Sequence, residues 1–305
     1  MKDLQDGFRL ETHAGRFPIS KGELIAKIAD KEGILCMPYD TIDREVIEAA
    51  ADLRAISTYS VGYEHIDLQC TKSRGILVGY TPDVLTRATA DLAFALMLDV
   101  MRRVSEGDRL IRSGGWQQVF GPCDFLGTDL ETKTVGILGP GRIGLSFAEK
   151  AQAFGMKVVY HGNGRLSERQ ERQAGIEHVS LNQLFSESDI VSLHIPHTKR
   201  THDMVNRSLL AKMKRGAFIV NTSRGRVINQ KDLVLALQNG DLAGAALDVF
   251  YDEPLGADSP LAKMENVVLT PHMGSSTKET RENMARLAVL NLKMAMAGRR
   301  PKCAV

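Results

Sequence analysis

The sequence lacks the marks of several large protein classes. No run of about eighteen apolar residues occurs in its 305 positions, so no membrane-spanning helix is expected. The opening MKDLQDGFRL has no apolar core of the kind a secretory leader carries. Cysteine is scarce: Cys36, Cys70, Cys123 and Cys303 stand far apart with no C-x-x-C pair. That spacing argues against a zinc knuckle or a disulfide framework and for a reducing, cytoplasmic compartment. No pair of the eight histidines has convincing metal-ligand company, so no metal is expected. Charge of one sign is also lacking. With 39 Lys and Arg against 37 Asp and Glu, the net charge is +2, and no basic run or acidic tail stands out. Neither nucleic acid nor an acidic membrane surface is expected as a partner. Internal repeats and low-complexity segments are absent.

What is present is an ordinary globular composition, 43% hydrophobic and 25% charged, on a chain long enough for two domains. Short β-branched runs alternate with amphipathic stretches, the pattern of an α/β fold with parallel sheets. In the first part, residues 33–37 and 55–59 read as buried strands, with helical stretches near 19–30 and 43–50. A long helix is expected over 85–103. Its apolar Leu92, Phe94, Ala95, Leu96, Met97 and Leu98 nearly encircle it, as in a helix buried between domains. From Thr134 onward the alternation is regular, with strands expected over 134–138, 157–161, 190–195, 217–222, 244–249 and 267–270. Helices are expected over 142–154, 181–186, 208–213 and 230–238, and a last one over 277–297. A cofactor domain is placed at 80–270. Residues 1–79 and 271–305 then form the other, discontinuous domain.

The most informative local motif is Gly139-Pro-Gly141-Arg142-Ile143-Gly144, between the strand TVGIL and a helix. That is where a dinucleotide fingerprint must sit. Gly139 permits the tight turn, Gly141 lets a pyrophosphate approach the backbone, and Gly144 lets helix and strand pack closely. The helix N-terminus adds free N–H groups and a positive dipole end. NAD sites usually carry an acid about 20 residues further on, against the ribose hydroxyls. Here the chain reads Val158-Val-Tyr-His-Gly-Asn163-Gly-Arg165, without one. The missing carboxylate removes a barrier to NADP, and Asn163 with Arg165 could meet its 2′-phosphate. A solvated loop arginine is the competing reading of Arg165, so NADP(H) is the first expectation and NAD(H) the alternative.

Three downstream segments put polar groups at the ends of predicted strands, where open α/β sheets place their sites. They are Val220-Asn-Thr222-Ser-Arg224-Gly-Arg226, Ala246-Leu-Asp248-Val-Phe-Tyr-Asp-Glu253-Pro and Leu269-Thr-Pro-His272-Met-Gly274. Any one could be a capped loop with a solvated charge. Three in succession after one glycine turn argue for chemistry. His272 suits proton delivery near neutral pH, and a carboxylate such as Glu253 on its other ring nitrogen would favour the imidazolium. Arg224 suits a carboxylate next to a carbonyl, because its planar fork offers several donors.

Together with Tyr59-Ser-Val61-Gly62-Tyr-Glu-His-Ile-Asp67 and Val78-Gly-Tyr-Thr-Pro-Asp-Val-Leu-Thr86, these segments resemble the D-isomer-specific 2-hydroxyacid dehydrogenases over nearly the whole chain. Within that family they are most similar to the glyoxylate/hydroxypyruvate reductases. The resemblance implies two Rossmann-like domains, with the dinucleotide-binding domain inserted into a flavodoxin-like substrate domain. It implies reduction of a small 2-keto acid to a 2-hydroxy acid, with Arg224, Glu253 and His272 as the catalytic trio. The Val61–Gly62 backbone, with Arg224, would hold the substrate carboxylate. The cofactor would be met by Gly139, Gly141, Arg142, Ile143, Gly144, Asn163, Arg165, Pro196, Thr222, Asp248, His272 and Gly274. A homodimer is implied as well, built partly by the region between the long helix and the glycine turn. Trp116, in that region, is read first as a packing anchor, with a pocket or dimer-arm role as the alternative.

The family pattern breaks at the start. Residues 8–12 correspond to the family's second strand, so the first βα unit is expected to be missing, with a start downstream of the true one. With 33 residues after His272, no regulatory domain of the long phosphoglycerate dehydrogenases is expected. Two other readings stay open: another member of the family, of D-lactate, phosphoglycerate or phosphite type, and a non-catalytic dinucleotide-sensing regulator.

Overall fold

The computed structural model describes residues 7–15 and 17–305. The chain forms two compact units, Met1–Leu85 with Ser275–Val305, and Thr86–Gly274. Both borders lie a few residues beyond the expected 79/80 and 270/271, so His272 and Gly274 fall in the second unit.

The first unit holds three parallel strands, β1 (Gly33–Cys36), β2 (Ala55–Thr58) and β3 (Leu77–Gly79), in the order β1-β2-β3. Helices Lys21–Ile28, Arg44–Ala49 and Leu68–Ser73 start at Ser20, Asp43 and Asp67, whose side chains accept an N–H of the first turn. The C-terminal helix Lys278–Met296 lies across the sheet. Its Ala288 carbonyl accepts from Ser57, and its buried Asn291 donates to Tyr80 O and accepts from Cys303 N. The approach is close at Gly79, where a Cβ would stand 2.7 Å from that of Asn291. Residues 8–12 form no strand. Phe8 instead packs against the buried cluster of Ala55, Leu292 and Ala295, an apolar contact that a strand-like pattern does not distinguish from a ladder. A full flavodoxin-like sheet is therefore not formed by the described residues. The outer side of β3 meets the chain end through a Gly79–Ala304 bridge.

The second unit is a seven-stranded parallel sheet. Its strands are β4 (Thr134–Leu138), β5 (Lys157–His161), β6 (Glu177–His178), β7 (Ile190–Leu193), β8 (Ala217–Asn221), β9 (Leu242–Leu247) and β10 (Val267–Leu269). Their spatial order is β10-β9-β8-β7-β4-β5-β6, the doubly wound arrangement. The order reverses between β4 and β7, and ligands of such sheets bind outside the strand C-termini at that point. Apolar cores cover both faces. One gathers Phe94, Met97, Phe147, Tyr160 and Phe218, the other Leu184, Phe185, Leu209, Leu233 and Leu237.

The long helix runs Thr86–Arg102 and buries Thr89, Ala90, Ala93, Phe94, Leu96, Met97, Val100 and Met101. Ala95 is exposed, so its apolar surface is a wide stripe and not a full ring. Helices Val104–Arg112 and Glu168–Ala174 and the two-residue β6 were not expected. Glu168–Ala174 buries no residue and prints no core-facing pattern, whereas Val104–Arg112 is amphipathic in sequence but leaves its apolar Val104 and Ile111 exposed. Among the described residues no helix is long and apolar enough to cross a membrane.

Candidate active site

The turn after β4 realises the three glycine roles separately. Gly139 has φ +100°, and a Cβ on it would lie 2.6 Å from both the His194 carbonyl and the Ile195 side chain. Gly141 is the N-cap of helix Arg142–Ala153, and a Cβ there would meet nothing, which leaves space above the backbone. At Gly144 a Cβ would overlap the Gly139 carbonyl, so helix and turn touch directly. Ile143 packs against the adjoining core.

The loop after β5 lies beside this turn, since a Cβ on Gly162 would stand 2.7 Å from Pro140. On it Asn163 is exposed, while the Arg165 guanidinium forks onto Glu171, with Nε and Nη2 each 2.9 Å from one carboxylate oxygen. Glu171 also accepts from the buried Tyr160 hydroxyl at 2.6 Å. Hydrogen bonds from Arg165 and Tyr160 hold its carboxyl down to about 2, so it is ionised at neutral pH. Arg165 is thus neither a freely solvated arginine nor one held only in reserve for a phosphate.

On the other side of the glycine turn, β7 leads to His194, Ile195 and Pro196. The His194 ring turns inward onto Ser192 Oγ (2.9 Å) and Phe147 (centroids 5.2 Å apart). Desolvation pushes its pKa down to about 3, which keeps it neutral. Pro196 is exposed, and its carbonyl accepts from Thr201.

After β8, the buried Asn221 shapes the next loop. Its amide donates to Arg224 O at 3.0 Å, and its oxygen accepts from Ser223 N and Oγ. Thr222, 9% exposed, keeps a hydroxyl oxygen with no partner among the described residues. A buried unpaired hydroxyl beside a strand C-terminus suits a ligand partner. With the glycine turn, it shows that the residues present fit a dinucleotide.

After β9 and β10 the remaining groups converge. Asp248 is fully buried, and its carboxylate accepts from Thr270 Oγ1 (2.6 Å), Met273 N (2.8 Å) and Gly274 N (2.9 Å). Burial pushes its carboxyl above the ordinary value despite those bonds and the nearby His272. These contacts pin the turn on which His272 takes φ +50°, a conformation rare for a non-glycine residue. His272 Nδ1 lies 2.7 Å from Glu253 Oε2, and Glu253 Oε1 accepts from Phe250 N at 3.0 Å. Burial alone would raise the Glu253 carboxyl. The hydrogen bond and charge of His272, the Phe250 N–H and the Arg224 charge outweigh it, and the net shift is downward.

Of the expected residues, the second unit therefore brings Glu253 and His272 into contact, with Arg224 close enough to act on Glu253 electrostatically. Val61 and Gly62 belong to the first unit, on the loop after β2. There Ser60 Oγ bridges Thr58 and the Gly62 carbonyl, at 2.7 and 2.5 Å. Asn221 and Thr270 were missed as site residues, since a polar residue at a strand end signals a cap as readily as a brace. Trp116 is 51% exposed and touches only Phe120 among the described aromatic rings, which corrects the expectation of a packing anchor. Among the described residues, no group of three or more His, Cys, Asp or Glu is placed to hold a metal.

Comparison with known proteins gives a consistent set. The family model for the D-isomer specific 2-hydroxyacid dehydrogenase NAD-binding domain matches residues 94–274. A glyoxylate reductase of Korarchaeum cryptofilum is 45% identical over 292 residues, covering 96% of this chain and 88% of its own. Among solved structures, a Thermus thermophilus protein superposes with TM-score 0.93 at 44% identity, over 100% of this chain and 95% of that one. An NADPH-dependent glyoxylate/hydroxypyruvate reductase of Sinorhizobium meliloti, in complex with NADP and malonate, gives 0.83 at 32% identity, over 92% and 85%.

Proposed function

The chain belongs to the D-isomer-specific 2-hydroxyacid dehydrogenase family of NAD(P)-dependent oxidoreductases, and on that premise we propose that it reduces a small 2-keto acid, of the glyoxylate or hydroxypyruvate kind, to the D-2-hydroxy acid. The observation that carries the reading is the 2.7 Å pair of His272 Nδ1 and Glu253, on a turn pinned by Asp248.

The nicotinamide, when bound, supplies the hydride that the carbonyl carbon needs. His272 gives the proton to the carbonyl oxygen from Nε2, the nitrogen opposite the Glu253 contact. Glu253, ionised, fixes the ring orientation and compensates the imidazolium charge. Arg224 binds the substrate carboxylate and draws density from the neighbouring carbonyl oxygen. Carbonyl, hydride and proton together make the hydroxyl group, so no other reactant is required. The glycine turn and the Thr222 hydroxyl would hold the cofactor.

NADPH is the donor we favour, because the loop after β5 has no acid at its ribose end and carries Arg165. One observation favours NADH instead. Arg165 is already forked onto Glu171, so a 2′-phosphate would have to compete for it. Initial rates with glyoxylate, hydroxypyruvate and pyruvate, each with NADPH and NADH, test both parts. Turnover fastest with the first two substrates and a kcat/KM at least about 10-fold higher for NADPH is expected. A preference for NADH would remove Arg165 from the recognition of a phosphate. Fast reduction of pyruvate alone would move the chain to the D-lactate type.

We place the protein in a reducing cytoplasm, which its four unpaired cysteines support. We also propose a homodimer. Between the long helix and β4 the single chain leaves Val104, Ile111, Trp116, Val119, Phe120 and Leu126 47–83% exposed, a concentration of apolar surface that a second copy would cover. Sedimentation should give twice the 33.5 kDa chain mass. A monomer at micromolar concentration would contradict it.

A further inference from the structure

Arg226 takes no part in the site as described, yet it holds the loop that carries Glu253. It follows Arg224 by two residues, in the short 3-10 turn Gly225–Val227 after β8. Its Nε donates to Tyr251 O at 3.0 Å, and its Nη2 pairs with Asp252 Oδ1 at 3.0 Å. Its guanidinium carbon lies 5.2 Å from the Tyr251 ring centroid. Packing does not require this arginine: its side chain is half exposed and fills no core.

The clamp sits where two loops are pressed together. A Cβ on Gly225 would overlap the Phe250 carbonyl, so the two backbones are already in contact. Tyr251 is held on further sides by Gln230, which accepts its N–H, and by the His202 ring near its hydroxyl. Glu253 is the next residue after Asp252, and its own anchor, the Phe250 N–H, lies just before Tyr251. The Arg226 fork thus closes the one stretch of chain between the Glu253 carboxylate and its anchor.

We infer that Arg226 is a positioning residue. By fixing Tyr251–Asp252 against the Arg224 loop, it holds Glu253 in register with His272, and so ties two of the three proposed catalytic loops together. This rests on the reading of Glu253 and His272 given above. Because a planar fork makes two directed bonds, lysine is expected to replace it only in part.

The test is a double-mutant cycle on the full chain, with kcat and the two KM values read separately. Arg226→Ala should lower kcat about 10-fold while the cofactor KM stays within about twofold. Arg226→Lys should recover part of that loss. Asp252→Asn, at an exposed position, should reproduce a weaker form of it. In a Glu253→Gln background, Arg226→Ala should cost less than about twofold, since the group it positions is already gone. Equal losses in both backgrounds would overturn the inference while leaving Glu253 in the mechanism. A Glu253→Gln enzyme with unchanged kcat would sink both together. Should Arg226→Ala shift the melting temperature and both KM values in parallel with kcat, Arg226 is a structural contact only.

Discussion

Replacing His272 by alanine is expected to lower kcat for keto acid reduction by about 10³-fold, within the range typical of a lost general acid. The geometry makes the loss specific to the chemistry. The backbone turn is held by Asp248 through Met273 N and Gly274 N, and neither bond uses the imidazole. The side chain is about one-third exposed, so its removal opens no sealed cavity. The cofactor KM should therefore stay within about threefold, and thermal unfolding should move by no more than a few degrees. What changes is Glu253. It loses the His272 hydrogen bond and charge, the two strongest of the influences that hold its carboxyl down against burial. Alanine leaves no group able to deliver the proton. Steady-state kinetics at saturating cofactor check this, and a kcat near that of the parent would remove His272 from the mechanism.

Arg224→Gln should cost as much in kcat/KM for the keto acid, about 10³-fold, which corresponds to roughly 4 kcal/mol of transition-state stabilisation. A glutamine keeps a donor but gives up the charge and the fork. Arg224→Lys keeps the charge and is expected to recover only a small part, because one ammonium cannot both grip a carboxylate in two places and polarise the carbonyl beside it. The loop itself should survive either change. Its shape comes from Asn221, whose side chain reaches the Arg224 carbonyl and the Ser223 N–H and hydroxyl. Cofactor affinity, followed by quenching of protein fluorescence, should be unchanged within about threefold. A comparable drop in cofactor affinity would mean that Arg224 supports the nucleotide and not the acid.

How much of this was legible in the sequence depends on whether a residue's role is local. The glycine turn was readable because each role is a backbone constraint at one position: a positive φ at Gly139, open space at Gly141, a helix against a carbonyl at Gly144. The nearness of Arg224, Glu253 and His272 was readable because each follows a strand of one parallel sheet, and such sheets put their strand ends together. The braces were not readable. That the Asp248 carboxylate accepts from Thr270, Met273 and Gly274 has no local sign in the sequence. Arg226 passes for a solvated charge until its fork meets a loop 25 residues away. Arg165 was readable as a position and not as a state, since its partner Glu171 lies on a helix that buries nothing and so left no core-facing pattern. Residues 8–12 misled because the alternating Phe8 and Leu10 read as one face of a strand, whereas Phe8 packs as a single side chain and Leu10 stays exposed.

The most direct test follows hydroxypyruvate reduction with NADPH by absorbance at 340 nm and then determines the chirality of the glycerate formed. One NADPH consumed per molecule of product and D-glycerate alone are expected, with both lost together in the His272→Ala enzyme. Formation of L-glycerate, or the absence of turnover in a folded protein that binds the dinucleotide, would contradict the proposed function.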